Sequence, residues 1–405
     1  MSDLIQIHSL LILLIGGIIV FSIFLRSELG KFGLPSVVGY LILGVAIRLL
    51  DGKAGFLSDE AYDIFRFLSQ IGVIVLLFRV GLESNIKGLL RQFRRASIVW
   101  TGDVVVSGSL GFVASRFILG LDLVPSLILG VALVATSVGI SISVWQEMKA
   151  MNSPTGELLL DVAEMDDISG IILLALLFSV IPTLNSGIQP AIASSVGKIL
   201  IVILLKFFGF ALFCLLFSIY IEKHITNFFS KLKRSPDPML MITGVGFGIA
   251  AIAGLLGFSI AIGAFFAGLV FSRDPKAVKL DTSFSSLYEF FMPFFFIHIG
   301  LHVHPGSLSS ALGLGSVLLI VAILGKLIGN GVLSLSIINW RSSLLFSMSM
   351  IPRAEIALVV IQRGREMGMS IVSDRVYSGM VVVSIATCIL SPLLLRFFLK
   401  KWPQR

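Results

Sequence analysis

Thirteen apolar stretches divide this 405-residue chain, at roughly 8–25, 34–50, 65–82, 97–118, 124–147, 155–181, 196–221, 238–254, 257–273, 284–303, 311–336, 341–362 and 376–398. Each is about as long as a helix needs to be to cross a bilayer, roughly 17–25 residues. A backbone in hydrocarbon must satisfy its own hydrogen bonds, so stretches of this length and character read as helices. The chain is 56% hydrophobic and only 13% charged, with a mean hydropathy of +1.02, which excludes a soluble core. The first stretch has no basic region before it and no small-residue cleavage site, so it reads as a spanning helix and not a signal peptide. Cys214 and Cys388 lie inside apolar runs without metal-ligand spacing and read as packing residues. The expected fold is an all-α polytopic membrane protein.

Loop charges test the division. The two stretches around Gly254–Gly257 form one long apolar run unless a tight turn splits them. With the split, about 19 Lys and Arg fall in loops on one side and about 8 on the other. The positive-inside bias then places the N-terminus outside and the C-terminus in the cytoplasm of a bacterial inner membrane. Without the split the two sets mix. The formal net charge of +8 is thus loop asymmetry and implies no nucleic-acid partner.

The chain repeats itself. Gly33-Leu-Pro-Ser-Val-Val-Gly39-Tyr-Leu-Ile-Leu-Gly44 shares its glycine spacing with Gly257-Phe-Ser-Ile-Ala-Ile-Gly263-Ala-Phe-Phe-Ala-Gly268, and Val80-Gly81-Leu82 aligns with Ile299-Gly300-Leu301. The offset, near 220 residues, carries the second stretch onto the ninth. Seven spans is an odd number, so the copies have opposite orientation. Inverted repeats mark secondary transporters, with the site near the midplane where the repeats meet.

The same offset carries the fifth stretch onto the twelfth. One contains Ala135-Thr136-Ser137-Val-Gly139, the other Met350-Ile-Pro352-Arg353-Ala-Glu355. Small polar residues weaken a helix and proline breaks its ladder. Such breaks survive at membrane depth only where protein or a watery cavity satisfies the freed groups. Two interrupted helices at matching positions are the best pointer to a transport site. Their ends would offer dipoles of both signs.

Charged residues inside the spans supply the chemistry. Asp161, Glu164, Asp166 and Asp167 fall within ten residues that lead into a run apolar apart from one serine. A carboxylate at the membrane centre costs roughly 2.5–3.5 kcal/mol on insertion scales. Neighbouring carboxylates raise each other's proton affinity, and burial adds to this. That suits a group that trades a proton for a cation. A hard cation wants oxygen ligands, so Asp166, Asp167, Thr136, Ser137 and freed carbonyls form the candidate site for Na⁺ and protons. Lys326 lies mid-span and must pair or deprotonate. Its partner is a carboxylate of the Asp166–Asp167 dyad or Asp103, on the repeat mate of its own helix. Arg353 and Glu355 flank the proline break and read as structural charges that neutralise Glu164, Asp161, Glu147 or each other. Arg79 and Glu83, four apart on a helix, read as an ion pair. His298, His302 and His304 read as interfacial polar residues at the outer end of the tenth stretch. No phosphate loop, nucleophile triad or zinc motif is present.

In this order, Gly-Leu-Pro-Ser-Val-Val-Gly-Tyr (33–40), Val-Gly-Leu-Glu (80–83), Ala-Thr-Ser (135–137), Met-Asp-Asp (165–167), Gly-Lys (325–326) and Pro-Arg-Ala-Glu (352–355) resemble the monovalent cation:proton antiporter-2 family, especially its NapA-type sodium/proton antiporters. The resemblance covers nearly the whole chain. It implies an NhaA/NapA-like fold of about thirteen helices, a homodimer, a mobile core domain (about 97–181 and 311–398), a dimerisation domain (about 8–82 and 238–303) and a linker helix (196–221). It also implies that Asp167 carries the ion, that Asp166 pairs with Lys326, and that a dyad of two aspartates goes with electrogenic exchange. The sequence departs from the pattern at Ala354, where the family has glycine, at Arg79, where it is apolar, and in the added charges Asp103, Asp161 and Glu164. Potassium-efflux relatives carry a nucleotide-binding domain after the last helix, and the sequence ends at Arg405 without one.

The expected function is exchange of Na⁺ or Li⁺ for H⁺ by competition at Asp167 with alternating access, and no enzymatic cofactor. The alternatives are K⁺/H⁺ exchange and sodium-coupled symport of an organic anion. A channel would need a filter or acidic ring, and a sensor would need a signalling domain; neither feature is visible.

Overall fold

A computed structural model describes residues 2–55, 57–83, 86–185, 193–230, 238–272 and 281–404. The helices are α1 (Ser2–Lys31), α2 (Ser36–Ala54), α3 (Asp59–Glu83), α4 (Ile86–Val113), α5 (Leu123–Val134), α6 (Val138–Glu147), α7 (Pro154–Asn185), α8 (Ala193–Leu216), α9 (Glu222–Ser230), α10 (Pro238–Leu255), α11 (Ile260–Phe271), α12 (Asp281–Leu301), α13 (Leu308–Ser334), α14 (Trp340–Ser349), α15 (Glu355–Glu366) and α16 (Asp374–Lys401). Every apolar stretch read from the sequence coincides with one of these or with a broken pair, and no strand occurs among the described residues. Nine stretches there are long and apolar enough to cross a membrane, and α10 and α11 add two shorter apolar helices. The chain is an integral membrane protein. Several loop residues behind the charge count, Lys231, Lys233, Arg234, Arg273, Lys276, Lys279 and Arg405, lie outside the described residues.

The split between α10 and α11 is present. Gly257 turns the chain with φ +90°, a conformation that glycine enters without steric cost. The Phe258 amide donates back to the Ala253 carbonyl at 3.0 Å, and the Ser259 hydroxyl caps α11 by accepting from the Ala261 amide at 3.3 Å.

The chain forms two compact units. One holds Met1–Gly72, Arg95–Ala163 and Phe290–Arg405; the other holds Val73–Arg94 and Glu164–Glu289. Within the first, α13 packs along α14 and α16, and α5 packs along α15. A β-carbon on Gly44 of α2 would stand 2.2 Å from the Ile297 carbonyl oxygen of α12, and one on Gly300 would stand 2.4 Å from the Leu41 oxygen. Within the second, a β-carbon on Gly81 of α3 would meet the Phe265 oxygen of α11 at 2.1 Å, and one on Gly268 the Phe78 oxygen at 2.2 Å. Gly44 corresponds to Gly268 in the repeat, and Gly81 to Gly300. The two contacts are therefore the same backbone-to-backbone approach made twice, once in each unit, as small residues permit in lipid.

Two side-chain expectations have definite outcomes here. Arg79 pairs with Glu83 at 2.6 Å and lies over the Tyr288 ring, 4.4 Å from its centroid. The histidines correct the interfacial reading. His298 is buried and His302 half-buried, their rings 4.4 Å apart, because the end of α12 packs beside α16, where the Tyr377 hydroxyl donates to the Gln362 side chain at 2.6 Å. Only His304 is exposed.

Candidate functional site

The site begins with two gaps in helical backbone, both in the first unit. α5 stops at Val134 and α6 starts at Val138; between them Ala135 is extended and Ser137 leaves the helical region. α14 stops at Ser349 and α15 starts at Glu355, with Pro352 in the gap. The gaps are stitched together. The Ser137 amide donates to the Pro352 carbonyl at 2.9 Å, and the Ser137 hydroxyl accepts from the Glu355 amide at 3.4 Å. Each break thus satisfies a backbone group the other frees, which is the condition for irregular backbone at membrane depth.

Cationic side chains stand at both helix C-termini. The Lys326 ammonium donates to the Val134 carbonyl, the last of α5, at 2.8 Å, and forms an ion pair with Asp103 in which both side chains are fully buried. The Arg353 guanidinium donates to the Met350 carbonyl at 3.0 Å, the Pro352 carbonyl at 3.3 Å and the Thr136 hydroxyl at 3.3 Å. A positive charge at a helix C-terminus meets the negative end of its dipole. Glu355 occupies the first turn of α15, the end that favours an anion.

α16 holds the second break in place. The Ser384 hydroxyl donates to the Arg353 carbonyl at 2.5 Å, the Arg353 amide donates to Thr387 at 3.1 Å, and the Ser391 hydroxyl donates to the Met348 carbonyl at 2.8 Å. Ser141 and Trp145 of α6 reach Ser349 at 2.7 and 2.8 Å. The sequence reading missed these residues. A signal existed: Ser384, Thr387 and Ser391 recur at helical spacing in an apolar span and so share one face.

Of the sequence-predicted residues, Thr136, Ser137, Lys326, Arg353 and Glu355 come together at this crossing. Asp103 stands at Lys326, the pairing that sequence left open beside the dyad. The Ser107 hydroxyl, one turn on from Asp103, donates to its carboxylate at 3.0 Å. Asp161 and Glu164 are half-buried on α7. Asp166 is fully buried and Asp167 half-buried, as neighbours about 100° apart on a helix should differ. The boundary between the units runs through α7 at Ala163–Glu164, so Asp161 belongs to the first unit and the dyad to the second. Glu147, offered above as a partner for Arg353, instead pairs with Arg396 at 2.7 Å. Glu147 ends α6, three turns beyond the break, and α16 brings Arg396 to it. Cys214 and Cys388 are both buried and free, and Cys388 packs against the second break, 3.6 Å from the Arg353 carbonyl.

The model of the family described as "Sodium/hydrogen exchanger, transmembrane" matches residues 10–401. A Na(+)/H(+) antiporter of Enterococcus hirae is 29% identical over 373 residues, covering 92% of this chain and 93% of its own. The Na(+)/H(+)-K(+) antiporter GerN of Bacillus cereus is 27% identical over 369 residues, covering 91% and 90%. Among solved structures, the sodium proton antiporter MjNhaP1 of Methanocaldococcus jannaschii at pH 8 superposes with a TM-score of 0.72 at 18% identity, covering 98% of this chain and 99% of that one. That likeness establishes the polytopic antiporter fold.

Proposed function

The chain belongs to the transmembrane sodium/hydrogen exchanger family, and from that premise we propose that it is a secondary antiporter that exchanges Na⁺ for protons. The observation that carries this reading is the crossing of two interrupted helices whose C-termini face Lys326 and Arg353. A fixed positive charge at each break meets the negative end of a helix dipole. Carbonyl and hydroxyl oxygens converge at the crossing, and each has a second lone pair to offer a hard cation.

In this reading Asp167 carries either a cation or a proton and never both, so competition for one carboxylate couples the two flows. Asp166, Thr136 and Ser137 supply further oxygens, and Glu164 and Asp161 are structural charges. Alternating access moves a core domain (about 97–181 and 311–398) past a dimerisation domain (about 8–82 and 238–303) within a homodimer in the bacterial inner membrane, the C-terminus cytoplasmic. Exchange is electrogenic in this reading, as the resemblance implies for a dyad of two aspartates. Li⁺ follows Na⁺ because their oxygen ligands are the same. A K⁺/H⁺ exchanger is the second reading, favoured by the likeness to GerN, whose name includes both cations.

The test is proton release from everted membrane vesicles on addition of Na⁺, Li⁺ or K⁺. Wild-type protein releases protons with Na⁺, and Asp167→Asn abolishes the response. Normal exchange in Asp167→Asn removes the carrier assignment, and a response to K⁺ alone moves the reading to the second.

A further inference from the structure

One buried polar group lies at the crossing and takes no part in what has been described. Asn330 stands on α13 one turn beyond Lys326, is fully buried, and neither its amide nitrogen nor its amide oxygen meets a hydrogen-bond partner among the described residues. A buried amide without partners is a costly thing to keep, since its hydration is lost and not replaced.

Its neighbours form a line. Lys326, Asn330 and Ser334 are four residues apart, so they share one face of α13, and all three are fully buried. The stripe covers about 12 Å at the rise of an α-helix. At its far end the Ser334 hydroxyl meets the Ser343 hydroxyl of α14 at 2.7 Å, and each also reaches the Gly331 carbonyl, at 3.0 and 2.7 Å. Ser347, one turn along α14, is buried as well and donates to the Ser343 carbonyl at 2.8 Å. The seam stops at Ser334, and the next two residues, Leu335 and Ser336, are exposed. At its near end lies the fully buried Lys326–Asp103 pair.

We propose that Asn330 is a positioning residue that holds water in this seam, and that the seam is the route by which protons reach the Lys326–Asp103 pair from the Ser334 end of α13. The inference rests on the antiport reading for its role, but the water site stands without it. An amide can accept from one water while donating to another, so it bridges the gap between the ammonium and the serine pair. Ser334 and Ser343 each have two acceptors in reach. Their hydroxyls can point either way along the chain and reset after a proton passes. Each transfer breaks one O–H bond and forms another, and the seam carries no net charge before or after.

The experiment uses the full-length protein in proteoliposomes, with wild type, Asn330→Leu and Asn330→Ser compared across a Na⁺ titration up to saturation, and thermal unfolding of the same proteins in detergent. Leucine removes both polar atoms and keeps the branching at Cγ; serine keeps a hydroxyl that can hold water. Asn330→Leu should lower turnover by about tenfold or more, the scale of a lost proton-transfer step, with KM for Na⁺ unchanged, and should lower the unfolding midpoint. Asn330→Ser should recover most of both. Wild-type turnover in Asn330→Leu, or a midpoint equal to or above wild type, overturns the proposal, because a merely unsatisfied amide is relieved by an apolar replacement. If Asn330→Leu does not fold, Ser334→Ala decides: lowered turnover at unchanged KM supports the seam and wild-type turnover overturns it. If the wild type exchanges no cation, the antiport reading falls, and the midpoints alone still decide whether Asn330 holds water.

Discussion

The two helix breaks are repeat mates, yet they are held in different ways. The second is built from its own sequence: Pro352 interrupts the ladder, and Arg353, the next residue, turns back to the carbonyls of Met350 and Pro352. The first has no proline and no charge within Ala135-Thr136-Ser137. Its cation comes from another helix, α13, through Lys326. That lysine also meets Asp103, on the helix that is the repeat mate of its own. The inverted duplication thus preserved the backbone geometry and let the charges diverge. One break is locally specified; the other depends on tertiary partners 192 and 223 residues apart in sequence.

The sharpest way to break this comparison is Lys326→Ala. If the first break depends on its remote cation, the substitution leaves Asp103 buried without its counter-ion and the end of α5 without its donor. Removing one member of a buried pair costs about 3–5 kcal/mol, so the detergent-solubilised protein should unfold at a clearly lower temperature. Joining it with Asp103→Asn should recover part of the loss, because the uncompensated charge goes with it. A midpoint within error of wild type in Lys326→Ala would put the two breaks on the same footing.

Arg353→Lys tests the second break with charge retained. A lysine keeps the cation but loses the planar fork that reaches Met350, Pro352 and Thr136 together. The expected loss is about 1–3 kcal/mol, the cost of leaving buried acceptors unpaired, again by thermal unfolding. No loss would mean that charge alone holds this break.

The smallest effect should come from the stitching. Ser137→Ala removes the hydroxyl that accepts from the Glu355 amide at 3.4 Å but leaves the backbone bond from Ser137 to Pro352. About 0.5–1.5 kcal/mol is expected, the net worth of one hydrogen bond. A larger loss would show that the first break relies on its own polar side chains more than on Lys326.

Much of this architecture could be read directly. The apolar stretches, the split at Gly257, the breaks at Thr136–Ser137 and Pro352, and the pairing of Arg79 with Glu83 all rest on local features: length, period, proline, and four-residue spacing. The glycine repeat also had a local signature, since only glycine allows the close approaches later seen at Gly44–Gly300 and Gly81–Gly268. Other partners were not legible. Glu147 could have met several cations, and only the packing of α16 selects Arg396. The buried face of α16, with Ser384, Thr387 and Ser391, was visible as a pattern but had no assignable target until Arg353 and Met348 were placed beside it.

The sequence by itself determined the class of molecule, because hydropathy and backbone hydrogen bonding in lipid admit little besides helices. It also located the carboxylate dyad and the breaks, because charge and proline are conspicuous in apolar runs. Tertiary structure alone decided which charges meet. Lys326 is chemically suited to any nearby carboxylate, and its contact with Asp103 and the Val134 carbonyl follows from α4, α5 and α13 packing at one point. Pairing between distant residues depends on that convergence, and no spacing along the chain encodes it.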